Sequence, residues 1–254
     1  MPLQKSRAIV IRKQNLGESD KIITFYTPYF GKVRAVARGV RKSRSRLGGS
    51  IELLNYGELV FFERPEKDLH IINSFDILDT FNKMRNSLTK TTYCFYVAEL
   101  VGLIVSENNA NPRIFQLLLQ VLQTMSNVDN TELLIHAFEL RLLTLAGYKP
   151  ELDFCVVCNN LINLRDRRVY FIPRLGGIAC RKCSAKELDA IELSQGSRAL
   201  MKRLQSLNVS NINRFRASKR NSSEIRSAIS AFIAYHFEGQ IKSWQLIDDV
   251  TRAC

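Results

Sequence analysis

The chain has 254 residues, 46% of them hydrophobic and 24% charged, which excludes a largely disordered or fibrous protein and is long enough for more than one small core. Its net charge of +13 is uneven: residues 1–80 carry 14 Lys and Arg against 9 acids, residues 81–148 are neutral, and residues 149–185 and 186–254 add +4 each. Two basic regions flanking a neutral one point to a polyanion, either nucleic acid or an anionic membrane surface, as the partner.

The opening "MPLQKSRAIVIRK" has no apolar run behind a basic head, so no secretory signal is expected. The first 80 residues read as five strands, "RAIVIRK", "KIITFYT", "KVRAVARG", "IELLNYGELVFFER" and "LHIINSFDIL", punctuated by Gly17, Pro28 with Gly31, Gly48 with Gly49, and Pro65. Five strands with short connections fit a small closed barrel. Residues 32–38 alternate, with Val33, Ala35 and Ala37 on one side and Lys32, Arg34, Val36 and Arg38 on the other.

That strand opens a run, "GKVRAVARGVRKSRSRLGG", in which Lys32, Arg34, Arg38, Arg41, Lys42, Arg44 and Arg46 meet no acid. Arg12 and Lys13 on the first strand extend the cationic set, and Tyr26, Tyr29 and Phe30 lie just before it. A charge run is often only a solvated linker. Cations beside aromatic rings on a small barrel are, by contrast, a usual way to hold single-stranded nucleic acid.

From about residue 82 the period changes to 3.6. Ile114, Leu117, Leu118, Val121, Leu122 and Met125 form one helical stripe, and Leu134, Ala137, Phe138, Leu142 and Leu145 another, closed by Gly147 and Pro150. Each helix is expected to bury a single stripe. "YCFYVAELVGLIV" at 93–105 is too short to span a bilayer and contains Glu99, so a cytoplasmic chain without a membrane partner is expected.

Residues 151–183 interrupt the helices. Cys155 and Cys158 form one Cys-x-x-Cys pair, Cys180 and Cys183 another, with 21 residues between the pairs. Each such turn aims two thiolates at one point, and two turns complete a tetrahedral zinc site with no open position, hence a structural Zn2+, one per chain. Core cysteines, a redox pair or disulfides fit less well, because the pairs are flanked by Asn159, Arg181 and Lys182, are two in number, and are expected in a reducing compartment. Cys94 reads as a core residue and Cys254 as a spectator.

Helices resume after Ser184. Ile225, Ile229, Phe232, Ile233, His236 and Phe237 form a further stripe, with Ser222 and Ser223 as caps. A second basic loop at 213–223 precedes it, with Arg214, Arg216, Lys219 and Arg220, and is a weaker nucleic-acid or acidic-peptide contact. No phosphate-cradling Gly-rich loop and no His-Glu-x-x-His pair is present, and His70, His136 and His236 are far apart in sequence. No catalytic residue is assigned, and a non-enzymatic binding protein is the leading expectation.

Several of these features occur in a familiar order. Gly17, Glu18, Asp20, Thr27, Gly31, Lys32, Arg38, Gly39, Arg41, Ser43 and Arg44, the double Cys-x-x-Cys with Gly176 and Gly177, and Lys242 with Ser243 in "YHFEGQIKSWQLI" together resemble the zinc-containing members of the RecO family of bacterial recombination mediators. The stretch "LGGSIEL" departs from the family's usual Pro-containing segment. The resemblance implies an α+β multi-domain protein: an OB-fold at 1–80, a helical domain at 81–150 and 184–254, and a four-cysteine zinc element at 151–183. It further implies binding to single- and double-stranded DNA, strand annealing and cooperation with RecR, with the tail of the single-stranded DNA-binding protein and with the RecA pathway. Such a protein would be cytoplasmic and nucleoid-associated. A zinc-ribbon RNA-binding or ribosome-associated factor, an adaptor and a nuclease are the competing classes; annealing, indifference to loop neutralisation and magnesium-dependent cutting separate them.

Overall fold

The structure is a computed structural model that describes residues 1–41, 47–64, 67–107, 109–163 and 166–239, together with Ile241, Ser243, Trp244, Leu246, Ile247 and Asp249. Lys42, Ser43, Arg44, Arg46, Lys242 and Cys254 lie outside the described residues. The chain divides into two compact units, Met1–Ser126 with Ile241–Cys254, and Asn127–Gln240. The grouping differs from the three segments expected, because the first helices pack with the barrel.

Five strands form a closed barrel: β1 (Leu3–Leu16), β2 (Asp20–Thr27), β3 (Gly31–Ala37), β4 (Tyr56–Phe62) and β5 (His70–Asp79), in the order β1-β2-β3-β5-β4. Every pairing is antiparallel except β3 with β5. Alternate residues fill the interior, including Ala8, Val10, Ile23, Phe25, Val33, Ala35, Leu59, Phe61 and Phe75. Gly57 is required at the register shift where β4 pairs with β5, since a Cβ there would lie 2.4 Å from the Asp76 carbonyl oxygen.

Strand β4 is shorter than expected. Residues 51–55 form a turn instead, in which Leu54 takes a left-handed φ of 71° incompatible with a strand, and Ile51 and Leu54 are buried. The first unit continues with α1 (Asn82–Arg85), α2 (Leu88–Ile104) and α3 (Pro112–Met125), α2 packing on β1 and α3 on β2. Ser87 and Asn111 cap α2 and α3, and Pro112 stands in the first turn of α3. The six stripe residues of α3 are all buried. Trp244 packs on Tyr96 of α2 with ring centroids 4.9 Å apart and planes tilted by 56°, and Glu99 accepts from the Ser243 backbone N–H (3.0 Å) and hydroxyl (2.6 Å).

The second unit contains α4 (Thr131–Leu145), β6 (Arg168–Ile172), β7 (Gly177–Ala179), α5 (Arg181–Ser184), β8 (Ile191–Ser194), α6 (Gln195–Ser206) and α7 (Lys219–His236), with the small sheet ordered β7-β6-β8. The single stripe expected for α4 is corrected: Leu133, Ile135, Leu140 and Leu143 are buried as well, because the helix is apolar around its circumference and carries the buried pair His136 and Glu139. The caps of α7 are also corrected. Ser218, not Ser222 or Ser223, accepts from the Asn221 N–H, so the helix begins at Lys219 and the second basic loop is partly helical. Among the described residues no helix is long and apolar enough to cross a membrane.

Candidate nucleic-acid interface and metal centre

The β1–β2–β3 register aligns Arg12 with Thr24 and Thr24 with Arg34, so two guanidinium groups flank a threonine on the outer barrel face. Arg12 is exposed and Arg34 half-buried, and neither has an ion-pair partner among the described residues. The bulge between Val10 and Arg12 shifts the alternation, so Arg12 faces outward although Val10, two residues earlier, faces the interior. Lys13 therefore sits on the opposite face and pairs with Glu52.

Beyond β3, Arg38 is exposed and has no ion-pair partner among the described residues, while Arg41 is docked: its backbone N–H donates to Ser19 O (3.0 Å) and its Nη1 to Gly17 O (3.0 Å). Asp20 holds the same corner by accepting from the Gly39 N–H (2.8 Å) and the Ser19 hydroxyl (2.8 Å). Gly39 has φ 61°, a left-handed value that suits glycine. The turn that launches the basic run is thus anchored, and Asp20 is a structural carboxylate.

Lys32 lies differently from its neighbours. Its Nζ donates to the Gly102 carbonyl of α2 (3.0 Å) and stands 3.9 Å from Glu107, and only 10% of its side chain is exposed. Burial lowers its pKa, Glu107 opposes that shift, and Arg34 and Arg12 add to it. Of the aromatics, Tyr29 is 74% exposed, Phe30 packs edge-on to Phe61 at 5.6 Å, and Tyr26 is fully buried beside Phe115, its phenol pushed up to about 12 by burial.

A groove of about 690 Å³ beside β3 has a mixed lining, Lys32, Arg34, Lys67 and His70 together with Glu63, Asp68 and Glu107. Neither Lys67 nor His70 stood out in the sequence, because parallel pairing of β5 with β3 brings His70, and the segment before β5 that holds Lys67, there from a distance. His70 Nδ1 accepts from the Arg64 backbone N–H (3.1 Å), so the neutral ring carries its proton on Nε2. Burial lowers the His70 pKa, partly offset by Glu63.

In the second unit the four cysteine sulfurs of Cys155, Cys158, Cys180 and Cys183 lie within 4.8 Å of one another. Tetrahedral ligands about 2.3 Å from a metal stand about 3.8 Å apart, so the cradle fits an ion with little adjustment. Strands β6 and β7 form the hairpin that returns Cys180 to Cys155, whose Sγ accepts from the Cys180 N–H at 3.4 Å. Burial opposes ionisation of Cys155, but the N–H groups of Cys158, Cys180 and Val157 and the Cys158 thiol bring it down to about 6. Hydrogen bonding to Cys180, then burial and the other sulfurs, push Cys183 up to about 12. Four convergent sulfurs are the donor set a soft cation stabilises. Cys94 is buried and its thiol is raised by burial, as a core residue.

The second basic segment is partly engaged. Arg216 Nη1 donates to the Asn213 carbonyl (2.9 Å), with Asp129 at 3.9 Å from its Nη2, and Arg220 pairs with Glu224 (2.7 Å). Arg214 and Lys219 have no side-chain partner among the described residues. His236 bonds the Pro173 carbonyl (3.0 Å) and is a structural boundary residue.

Together these features define the chain as a closed OB-like barrel protein with a helical C-terminal part and a four-cysteine cradle able to hold a metal ion. Family models for the N terminal and the C terminal of recombination protein O match residues 1–81 and 85–245. The DNA repair protein RecO of Dehalococcoides mccartyi strain 195 is 34% identical over 98% of this chain and 96% of its own length. Those of Pelotomaculum thermopropionicum (33%, 98% and 94%) and Symbiobacterium thermophilum (33%, 100% of both) are similarly close. The chain belongs to the RecO family of DNA repair proteins.

Proposed function

We propose that this chain is a non-enzymatic recombination mediator that binds single- and double-stranded DNA, anneals complementary strands and helps load the recombinase onto coated single strands. The observation that carries this reading is the cationic outer row of the barrel, Arg12 and Arg34 across three strands and Arg38 beyond them, in a RecO family member. Two strands approaching one another repel, and Lys and Arg that neutralise phosphates lower that barrier while leaving base edges free to pair. Tyr29 offers an exposed ring at the β2–β3 turn, at the end of that strand pair opposite Arg38. Arg41 serves through a docked side chain, and Lys32 contributes field from beneath the surface; Lys13, paired with Glu52, is a secondary contributor.

The ion in the cysteine cradle is zinc in this reading, held by Cys155, Cys158, Cys180 and Cys183, and it fixes the second unit without entering a reaction. RecR, the tail of the single-stranded DNA-binding protein and the RecA pathway are the partners that family membership supports. Arg214 and Lys219 are, among the described residues, the free cations of the second basic segment for an acidic tail or a DNA extension.

The test is annealing of complementary oligonucleotides, bare and coated with single-stranded DNA-binding protein, without ATP. Acceleration in both conditions supports mediation. RNA preference without annealing would overturn it.

A further inference from the structure

The hairpin that carries Cys155 and Cys158 projects an apolar tip. Phe154 and Leu161 are antiparallel bridge partners and so stand side by side on one face, 45% and 67% exposed, with Val157 48% exposed at the turn. The second cysteine turn, converging on the same sulfurs, carries Arg181 and Lys182, with Lys186 one turn on, all three exposed. None of the three has an ion-pair partner among the described residues, and residues 154–162 and 180–186 contain no acid. The flanking acids Asp153 and Glu187 pair elsewhere, with Lys202 and Arg174, so exposed apolar side chains stand with unpaired cations and call for a ligand with one apolar face and adjacent negative charge.

We propose that this knuckle is a second single-stranded DNA site, in which an unpaired nucleobase lies on the Phe154–Leu161 shelf and its flanking phosphates meet Arg181, Lys182 and Lys186. The inference rests on the DNA-binding reading above and adds a site in the second unit. A nucleobase fits better than a peptide side chain because the shelf is made of exposed side chains paired on one face, on which any base can lay its π face. The cations then supply phosphate affinity without base preference.

The test compares binding of a thymidine oligonucleotide and an abasic one of equal length to the full chain, to Phe154→Ala/Leu161→Ser, to Arg181→Ala/Lys182→Ala/Lys186→Ala and to Arg12→Ala/Arg34→Ala/Arg38→Ala, with zinc content measured in each. The shelf variant should retain its metal, lose about tenfold in affinity for the thymidine oligonucleotide and little for the abasic one. The knuckle cation variant should weaken both and reduce the salt slope. Phe154→Leu, which keeps apolar area and removes the ring, should give an intermediate loss if the shelf variant fails to hold metal. A metal-replete shelf variant that separates the two oligonucleotides as the native chain does overturns the proposal, as does one that loses an acidic peptide instead of DNA. Failure of the barrel variant to weaken either oligonucleotide contradicts the DNA-binding reading itself, so the two failures are distinguishable.

Discussion

Lys32 and Arg34 are two residues apart on one strand and have different surroundings. Arg34 joins Arg12 on the outer face, whereas Lys32 closes an orphan carbonyl at the last turn of α2. Arg34→Ala should therefore lower the salt slope of single-strand binding by about 0.7 with little change in stability. Lys32→Met should cost about 1–2 kcal/mol of stability and leave the slope nearly unchanged, checked by salt titration alongside denaturant unfolding. Glu224 gives a pH-dependent counterpart. Burial opposes its ionisation, but Ser197, the Ser194 backbone, Arg220 and the Ser194 hydroxyl hold its folded pKa at about 2, below the ordinary 4.5. The sign is that of a depressed carboxylate: its stabilisation is full above pH 4.5 and lost as pH falls toward 2. Glu224→Gln should lower stability at pH 7 by about 2 kcal/mol, with the difference from the native chain vanishing near pH 2 in unfolding titrations.

At the scale of elements, the clearest sequence signals were those set by local chemistry. Paired Cys-x-x-Cys turns need no knowledge of the rest of the fold, and the alternation Val33, Ala35, Ala37 places one face of β3 inside wherever the strand lies. What escaped depends on distant pairing. The parallel return of β5 beside β3 brings His70 into the groove that Lys32 lines, the bulge between Val10 and Arg12 turns Arg12 to the outer face, and Ser218 displaces two neighbouring serines as the cap of α7. Leu54 stands in an apolar run that reads as strand until its positive φ and burial at the barrel end are seen. The irregular pairing of β4 with β5 leaves no room at Gly57, so Gly57→Ala should destabilise the barrel by about 3 kcal/mol, measurable as a lowered thermal midpoint. A chelator added to the zinc-loaded chain should instead lower the stability of the second unit, leaving the barrel signal in place, as followed by two-probe unfolding.

Over the whole molecule the positive charge serves more than one purpose. Some cations are consumed internally, as in Arg198 bonded to the Leu152 carbonyl (2.7 Å) and Arg220 paired with Glu224, while Arg12, Arg34, Arg38, Arg214 and Lys219 have no ion-pair partner among the described residues. Net charge alone could not separate these groups, since pairing is a property of the fold. The same holds for the two compact units, whose boundary after Ser126 follows from α2 and α3 packing on β1 and β2 and leaves no mark in composition. The central claim is that the free cations of the barrel bring complementary strands together. It is tested most directly by the ATP-independent annealing rate of the full chain compared with the Arg12→Ala/Arg34→Ala/Arg38→Ala variant across a salt series. A rate that falls about tenfold or more in the variant, with a shallower salt dependence and an unchanged unfolding midpoint, is the predicted result. A folded variant that anneals as fast as the native chain at every salt concentration would contradict it.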